Sequence, residues 1–231
     1  MTRRLLATLC VCLDDVAHSA ATNMAIDEAV LEYAAVPAIR FYRWQSPALS
    51  FGYFGRFADV AGYQSERDLV RRWTGGGIVF HGDDLTYSLV IPVSDAAFAE
   101  SSMSIYERVH LALREALSGI GMCIQLVGSE LCADRTPLSG LPTYNCFANP
   151  VRADVIIDGR KIAGAAQRRT RRGLLQQGSI QGIDTENGLA DRFAQALSAA
   201  STKRKLDDGI LNRARELAEQ KYGTEAWLQR R

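Results

Sequence analysis

Residues Asn145 to Gln181 read Asn-Cys-Phe-Ala-Asn-Pro-Val-Arg-Ala-Asp-Val-Ile-Ile-Asp-Gly-Arg-Lys-Ile-Ala-Gly-Ala-Ala-Gln-Arg-Arg-Thr-Arg-Arg-Gly-Leu-Leu-Gln-Gln-Gly-Ser-Ile-Gln. Asp158-Gly159 is a two-residue hairpin signal between Val155-Ile156-Ile157 and Lys161-Ile162. The basic run Arg168 to Arg172, closed by Gly173, reads as a second turn. Three antiparallel strands follow, roughly 151–157, 160–168 and 174–181. Pairing about Asp158-Gly159 sets Lys161 opposite Ile156. Pairing Arg169 with Leu174 sets Ala165 opposite Gly178 and Ala163 opposite Ile180. Strict alternation then puts Lys161, Ala163, Ala165 and Gly178 on one face. Two readings fit that face: a shallow groove holding one cation, or a surface lysine snorkelling over a glycine-weakened strand.

Outward from this stretch, composition narrows the class. At 231 residues the chain is long enough for one sizeable core. A net charge of +1 gives no whole-molecule field that would favour nucleic acid. No apolar run is long enough to span a membrane. Cysteines 10, 12, 123, 132 and 146 are scattered and odd in number, which fits a reducing cytoplasm. They lack zinc-site spacing, so no metal centre is expected. The basic start, the apolar run Leu5 to Leu13 and Ala17-His18-Ser19-Ala20 have the outline of a signal peptide. Asp14-Asp15 interrupts it, and the run reads as a first buried strand.

Further motifs punctuate the chain. Thr22 to Tyr33 reads as a helix, with Asp27 and Glu28 as solvated charges about 100° apart around its axis. Ile39 to Trp44, then Gln45-Ser46-Pro47, then Ala48 to Phe54 reads as strand, turn, strand, with Gly52 open to close approach by a ligand. Arg71-Arg72-Trp73-Thr74-Gly75-Gly76-Gly77-Ile78-Val79-Phe80-His81, followed by Asp84-Leu85-Thr86-Tyr87-Ser88, is neither a P-loop nor a Rossmann fingerprint. A helix from about Ile105 to Leu117, capped by Ser104 with Glu107, presents Val109 and Leu113 to the core; His110 on it, like His18, reads as structural. Gly128 to Pro142 reads as a loop. Helices are expected over about 188–200 and 205–222, joined by the basic connector Thr202-Lys203-Arg204-Lys205.

Gly159 to Arg168, Leu175 to Ile180 and the Arg71 to His81 string together resemble the lipoate-attachment superfamily. It includes lipoate–protein ligases, octanoyltransferases and, more distantly, biotin–protein ligases. The resemblance covers roughly residues 5 to 200 and implies an α+β fold: a mixed, mostly antiparallel sheet flanked by helices. One catalytic domain over 1–231 is expected, with helices completing its C-terminal end. The carry-over implies that Arg72, Thr74, Gly75, Gly76, Gly77 and His81 line the acyl pocket, His81 as a donor and not as general base. Ala163, Gly164, Ala165 and Gly178 are expected beside them.

The superfamily makes its amide by two routes. A ligase forms an acyl-adenylate with ATP and Mg. An octanoyltransferase takes the acyl group from a carrier-protein thioester, and one class has Cys-Phe upstream of the Gly-x-Lys-x-x-Gly hairpin, where this chain has Cys146-Phe147. The resemblance therefore implies a catalytic Cys146 and Lys161, with no cofactor or metal needed for transfer. A thiolate conserves the thioester, and a nearby ammonium favours thiolate and oxyanion. On this reading Lys161→Ala folds normally but transfers slowly. Expected partners are octanoyl acyl carrier protein or another acyl donor, and the glycine-cleavage H protein or a dehydrogenase lipoyl domain. Arg168, Arg169, Arg171 and Arg172 either recruit an acidic carrier or form a solvated turn. The alternatives are the ATP-dependent ligase, with its accessory domain on a separate chain, and a non-catalytic protein that binds lipoyl domains.

Overall fold

The computed structural model describes residues 4–118, 124–128 and 151–230. The loop from 129 to 142, Cys146 with Phe147, and Cys123 and Cys132 lie outside the described residues. In chain order the elements are β1 (Leu6–Leu13), α1 (Ala20–Tyr33), β2 (Ala38–Tyr42), β3 (Ala48–Phe51), β4 (Asp68–Arg71), β5 (Ile78–His81), β6 (Leu85–Pro92) and α2 (Ser102–Leu117). Then follow β7 (Ile124–Leu126), β8 (Val155–Ile157), β9 (Arg160–Arg169), β10 (Gly173–Ile180), α3 (Leu189–Leu197), β11 (Ser198–Lys205), α4 (Asp208–Leu217) and α5 (Glu225–Leu228).

The large sheet runs β11-β1-β2-β6-β10-β9-β8-β7, and a small sheet runs β4-β3-β5. β1 is parallel to both neighbours, whereas the pairs from β2 to β7 are antiparallel. This is the expected α+β architecture. Alternation along the central strands feeds two cores. Tyr87, Leu89, Ile91 and Leu174 meet Val109, Leu113 and Phe193 of α2 and α3. Val90 and Leu175 meet Met24 of α1 and Leu217 of α4. Among the described residues no helix is long and apolar enough to cross a membrane.

The hairpin forms as the sequence dictates. Asp158 and Gly159 take φ of 49° and 78°, the left-handed pair of a type I′ turn. Lys161 pairs with Ile156, Arg169 with Leu174, and Ala165 with Gly178. A bulge shifts the register at Val155/Ile156, because Val155 pairs with Ala163 and so skips Ile162. The inserted residue breaks the alternation on which the shared face depended.

Three expectations change. The helix over 188–200 stops at Leu197, and Ser198–Lys205, including the supposed basic connector, is an edge strand parallel to β1. Lys203, Arg204 and Lys205 on that edge discourage pairing with other chains. α2 starts earlier than expected, with Ser101 rather than Ser104 as its cap, accepting from the Ser104 N–H. Finally, Asp27 is 0% and Glu28 7% exposed. Helix α1 lies between the sheet and α4, so both directions around its axis are covered.

Candidate active site

The triglycine turn is held by its own arginine. Arg72 donates to the carbonyls of Gly75 (3.1 Å) and Gly77 (2.8 Å), and to Ser50 Oγ (2.7 Å). Gly76 takes φ 85°. A Cβ on Gly52 would sit 2.0 Å from the Gly76 carbonyl oxygen, so the group approaching Gly52 is the turn's own backbone, not a ligand. The cavity on that side, lined by Phe51, Gly55, Arg56, Gly76 and Gly77 among others, measures about 60 Å³. That is room for a few waters, and Lys161 is not part of its wall.

Thr74 and His81 tie the small sheet to the large one. Thr74 donates to Gln177 Oε1 (2.7 Å), and Gln177 Nε2 donates to Asp27 Oδ2 (2.7 Å). Asp27 also receives Arg40 (2.9 Å), Tyr42 (2.9 Å) and Ser88 (2.6 Å). A buried carboxylate so supplied needs no solvent. His81 stacks on Trp44 at 4.0 Å, with Nδ1 2.8 Å from Asp84 and Nε2 2.6 Å from Ser50. Arg72 already donates to Ser50, so the Ser50 hydroxyl donates to Nε2 and Nδ1–H donates to Asp84. Burial, with Arg72 and Arg67 nearby, lowers the His81 pKa despite Asp84, which favours the neutral ring. Both ring nitrogens are thus engaged inside the protein. His81 stands here as a buried brace between Ser50 and Asp84.

On β9 and β10 the face carrying Gly164, Ala166, Gln177 and Ser179 looks toward the small sheet: Gln177 bonds Thr74, and Ser179 donates to Asp84 at 2.7 Å. Ala163 and Ala165 pack into the α2/α3 core, and a Cβ on Gly178 would strike the Tyr87 ring at 2.3 Å. These three therefore face the α2/α3 core and not the small sheet. Lys161 departs from them because of the bulge. A Cβ on Gly164 would meet Lys161 Cε at 2.5 Å and Nζ at 2.7 Å, so the lysine lies over Gly164.

Lys161 is buried, and its Nζ is 2.7 Å from Asp154 Oδ2. Asp154 in turn accepts from Tyr106 Oη (2.5 Å) and from the Val151 N–H (2.7 Å), while the Ala165 N–H donates to Tyr106 Oη (3.1 Å). The Tyr106 pKa is pushed well up by burial and by Asp154, so the phenol stays a donor. Behind this group His110 bonds the Ala153 carbonyl (2.8 Å), and burial lowers its pKa to about 4. Cys12, among the described cysteines, has its thiol pushed up to about 12 by burial and is inert packing. Of the basic turn, Arg169 bonds the carbonyls of Phe98 and Glu100, Arg172 lies 3.8 Å from Glu32, and Arg168 covers Tyr53 and Trp73. Among the described residues no three His, Cys, Asp or Glu side chains converge as a metal site.

This geometry can now be set beside known proteins. A family model described as the lipoyl protein ligase A/B catalytic domain matches residues 19–222. The chain belongs to that family. An octanoyltransferase LipM of Oceanobacillus iheyensis is 38% identical over 176 residues, covering 73% of this chain and 62% of the relative. The octanoyltransferase LipM of Macrococcus caseolyticus is 33% identical over 210 residues, covering 85% of this chain and 74% of the relative. The chain thus spans less than two thirds of the first relative's length and more than two thirds of the second's. A crystal structure of lipoate-protein ligase A bound with ATP superposes with TM-score 0.72 at 20% identity, covering 97% of this chain and 99% of that one. A bi-partite lipoate protein ligase from Thermoplasma acidophilum, described with its E2 lipoyl domain, gives TM-score 0.71 at 20% identity, covering 97% of this chain and 96% of that one. At such identities the structures establish the fold alone.

Within this lipoyl protein ligase A/B domain, sequence reasoning missed Asp154, Tyr106 and Ser50 as partners of the predicted residues. Nothing local marks them, since each acts across an element boundary. Asp84 and Gln177 stood in quoted motifs, but without a role.

Proposed function

We propose that the protein moves an octanoyl group from a thioester donor, through Cys146, to a lysine of a lipoyl-type carrier domain. The observation that carries this reading is the docking of Lys161 over Gly164 by Asp154. The same carboxylate accepts the N–H of Val151, which stands five positions after Cys146 in the sequence. The octanoyltransferase relatives and Cys146-Phe147 support the thioester route. The glycine-cleavage H protein and dehydrogenase lipoyl domains are acceptors of the required chemistry. Transfer asks for neither ATP nor metal, and a free thiol suits the cytoplasm.

In the first half-reaction the Cys146 thiolate attacks the donor carbonyl, a new C–S bond forms, and the donor thiol leaves with a proton. In the second the acceptor amine attacks that carbonyl, C–N forms, and Cys146 departs as thiolate while the amine loses its proton. Each tetrahedral intermediate carries an oxyanion, which a fixed ammonium stabilises. Beside Asp154 the lysine is half of a neutral pair, so its contribution is a directed hydrogen bond more than a long-range field on the thiol.

Mixing the protein with octanoyl acyl carrier protein, without ATP, should raise its intact mass by one octanoyl group, removable by hydroxylamine and absent in Cys146→Ala. Full transfer by Cys146→Ala, or a requirement for ATP, would replace this reading by the ligase one.

A further inference from the structure

Phe54 is 86% exposed and stands at the tip of the tight turn Gly52 to Gly55, where the Gly55 N–H bonds the Gly52 carbonyl at 2.9 Å. A single exposed apolar side chain is ordinary, but the backbone of the turn that carries this one is tied at several points. Arg71 donates to the Tyr53 and Gly55 carbonyls at 2.9 and 2.6 Å, and the Tyr53 N–H bonds the Thr74 carbonyl at 2.8 Å. Tyr53 packs edge-on against Phe54 at 5.0 Å. Over the Tyr53 ring lie two guanidiniums, Arg168 at 4.7 Å and Arg230 at 4.9 Å. Neither has a carboxylate partner among the described residues, and Arg168 Nε is buried without a hydrogen-bond partner. The result is an aromatic knob in a cationic collar that has no carboxylate partner among the described residues. It is bonded directly to the Thr74–Gly77 turn.

We propose that Phe54, with Arg168 and Arg230, is the docking anchor for the acceptor: a lipoyl-type carrier domain with an acidic face around its target lysine. This rests on the transfer reading above. An aromatic anchor already ordered in the free protein loses little entropy on binding, which is how a few residues come to dominate an interface. The two arginines supply charge complementarity, which steers association and weakens with salt.

Titration calorimetry of the purified protein with an apo lipoyl domain tests the anchor without catalysis. Phe54→Ser should weaken binding at least about tenfold, as expected for a desolvated aromatic anchor, with an unchanged melting temperature. Arg230→Glu should weaken it at low salt and flatten its salt dependence. In single turnovers, loading from octanoyl-coenzyme A should stay normal in Phe54→Ser, while delivery to the lipoyl domain slows and recovers at saturating acceptor. Unchanged affinity in Phe54→Ser would overturn the anchor. So would a loss confined to octanoyl acyl carrier protein, which would assign the patch to the donor. Normal Phe54-dependent binding without transfer would instead tell against the transfer reading and leave the anchor standing.

Discussion

Lys161 and Asp154 form a buried pair 2.7 Å apart, and this changes what a lysine substitution should do. Removing one partner of a buried ion pair strands the other charge, at about 3–5 kcal/mol. Lys161→Ala is therefore expected to lose stability by roughly that amount, not to fold normally as the catalytic reading of the sequence expects. It should also slow transfer about a hundredfold or more through the missing oxyanion contact. The double variant Lys161→Met with Asp154→Asn separates the two effects, because it removes both charges together and leaves neither stranded, while the amide oxygen can still accept from Tyr106 and Val151. Denaturant melts should show recovered stability while single-turnover rates stay low. Recovery of both would reduce Lys161 to a packing residue. The smallest neighbour also matters. Gly164→Ala puts a methyl 2.5 Å from Lys161 Cε, so the ammonium must move, and transfer should fall with little loss of fold.

At the scale of elements, the C-terminal segment is fastened to the site by Arg71. Its guanidinium donates to the carbonyls of Trp227 (3.0 Å), Leu228 (2.9 Å) and Arg230 (2.7 Å), and Trp227 Nε1 donates back to the Arg71 carbonyl (2.9 Å). Glu28 adds a second tie, to Lys221 and Tyr222, both at 2.5 Å. Helix α5 has only four residues and cannot persist without these ties. Arg71→Ala should cost at least about 2 kcal/mol, from orphaned carbonyls and lost charged hydrogen bonds. Amide exchange over 224–230 should approach that of free chain, while exchange in β6 tracks only the global loss. Undiminished protection of α5 in that variant would show that the clamp is not what holds it. The tyrosine-bearing turn shares Arg71, so the docking of Phe54 should loosen as well. Arg71 and Arg72 adjoin in one motif yet serve opposite sides. Strand geometry points them apart, one to the C-terminal segment and one to the triglycine turn.

Across the whole molecule, buried neutral histidines make stability depend on pH. His110 has its folded pKa lowered to about 4 from 6.5 by burial. Between those values the unfolded chain binds the proton and the folded chain does not, so stability falls as pH drops from about 6.5 to about 4. The loss is on the order of 3 kcal/mol for that residue, and His81, also lowered, acts in the same direction. Urea midpoints at pH 7 and pH 4.5 should differ, and His110→Gln should shrink the difference. An equal pH effect in that variant would place it elsewhere.

By itself the sequence determined the strands about Asp158-Gly159, their pairing up to the bulge, the mixed architecture and the motifs that mark the family. All of these follow from short-range rules: turn chemistry, alternation and spacing. Only the tertiary structure decided that Ile162 is skipped, so that Lys161 joins Gly164 and leaves Ala163, Ala165 and Gly178 to the core. It alone turned Ser198–Lys205 from connector into strand, because β1 offered a free edge. It also drew Asp27 and Glu28 inside, because Arg40 and Lys221 wait there from distant parts of the chain. Each outcome depends on which remote group arrives as partner. A charge is buried only when its counter-charge comes with it, and no local pattern records that arrival.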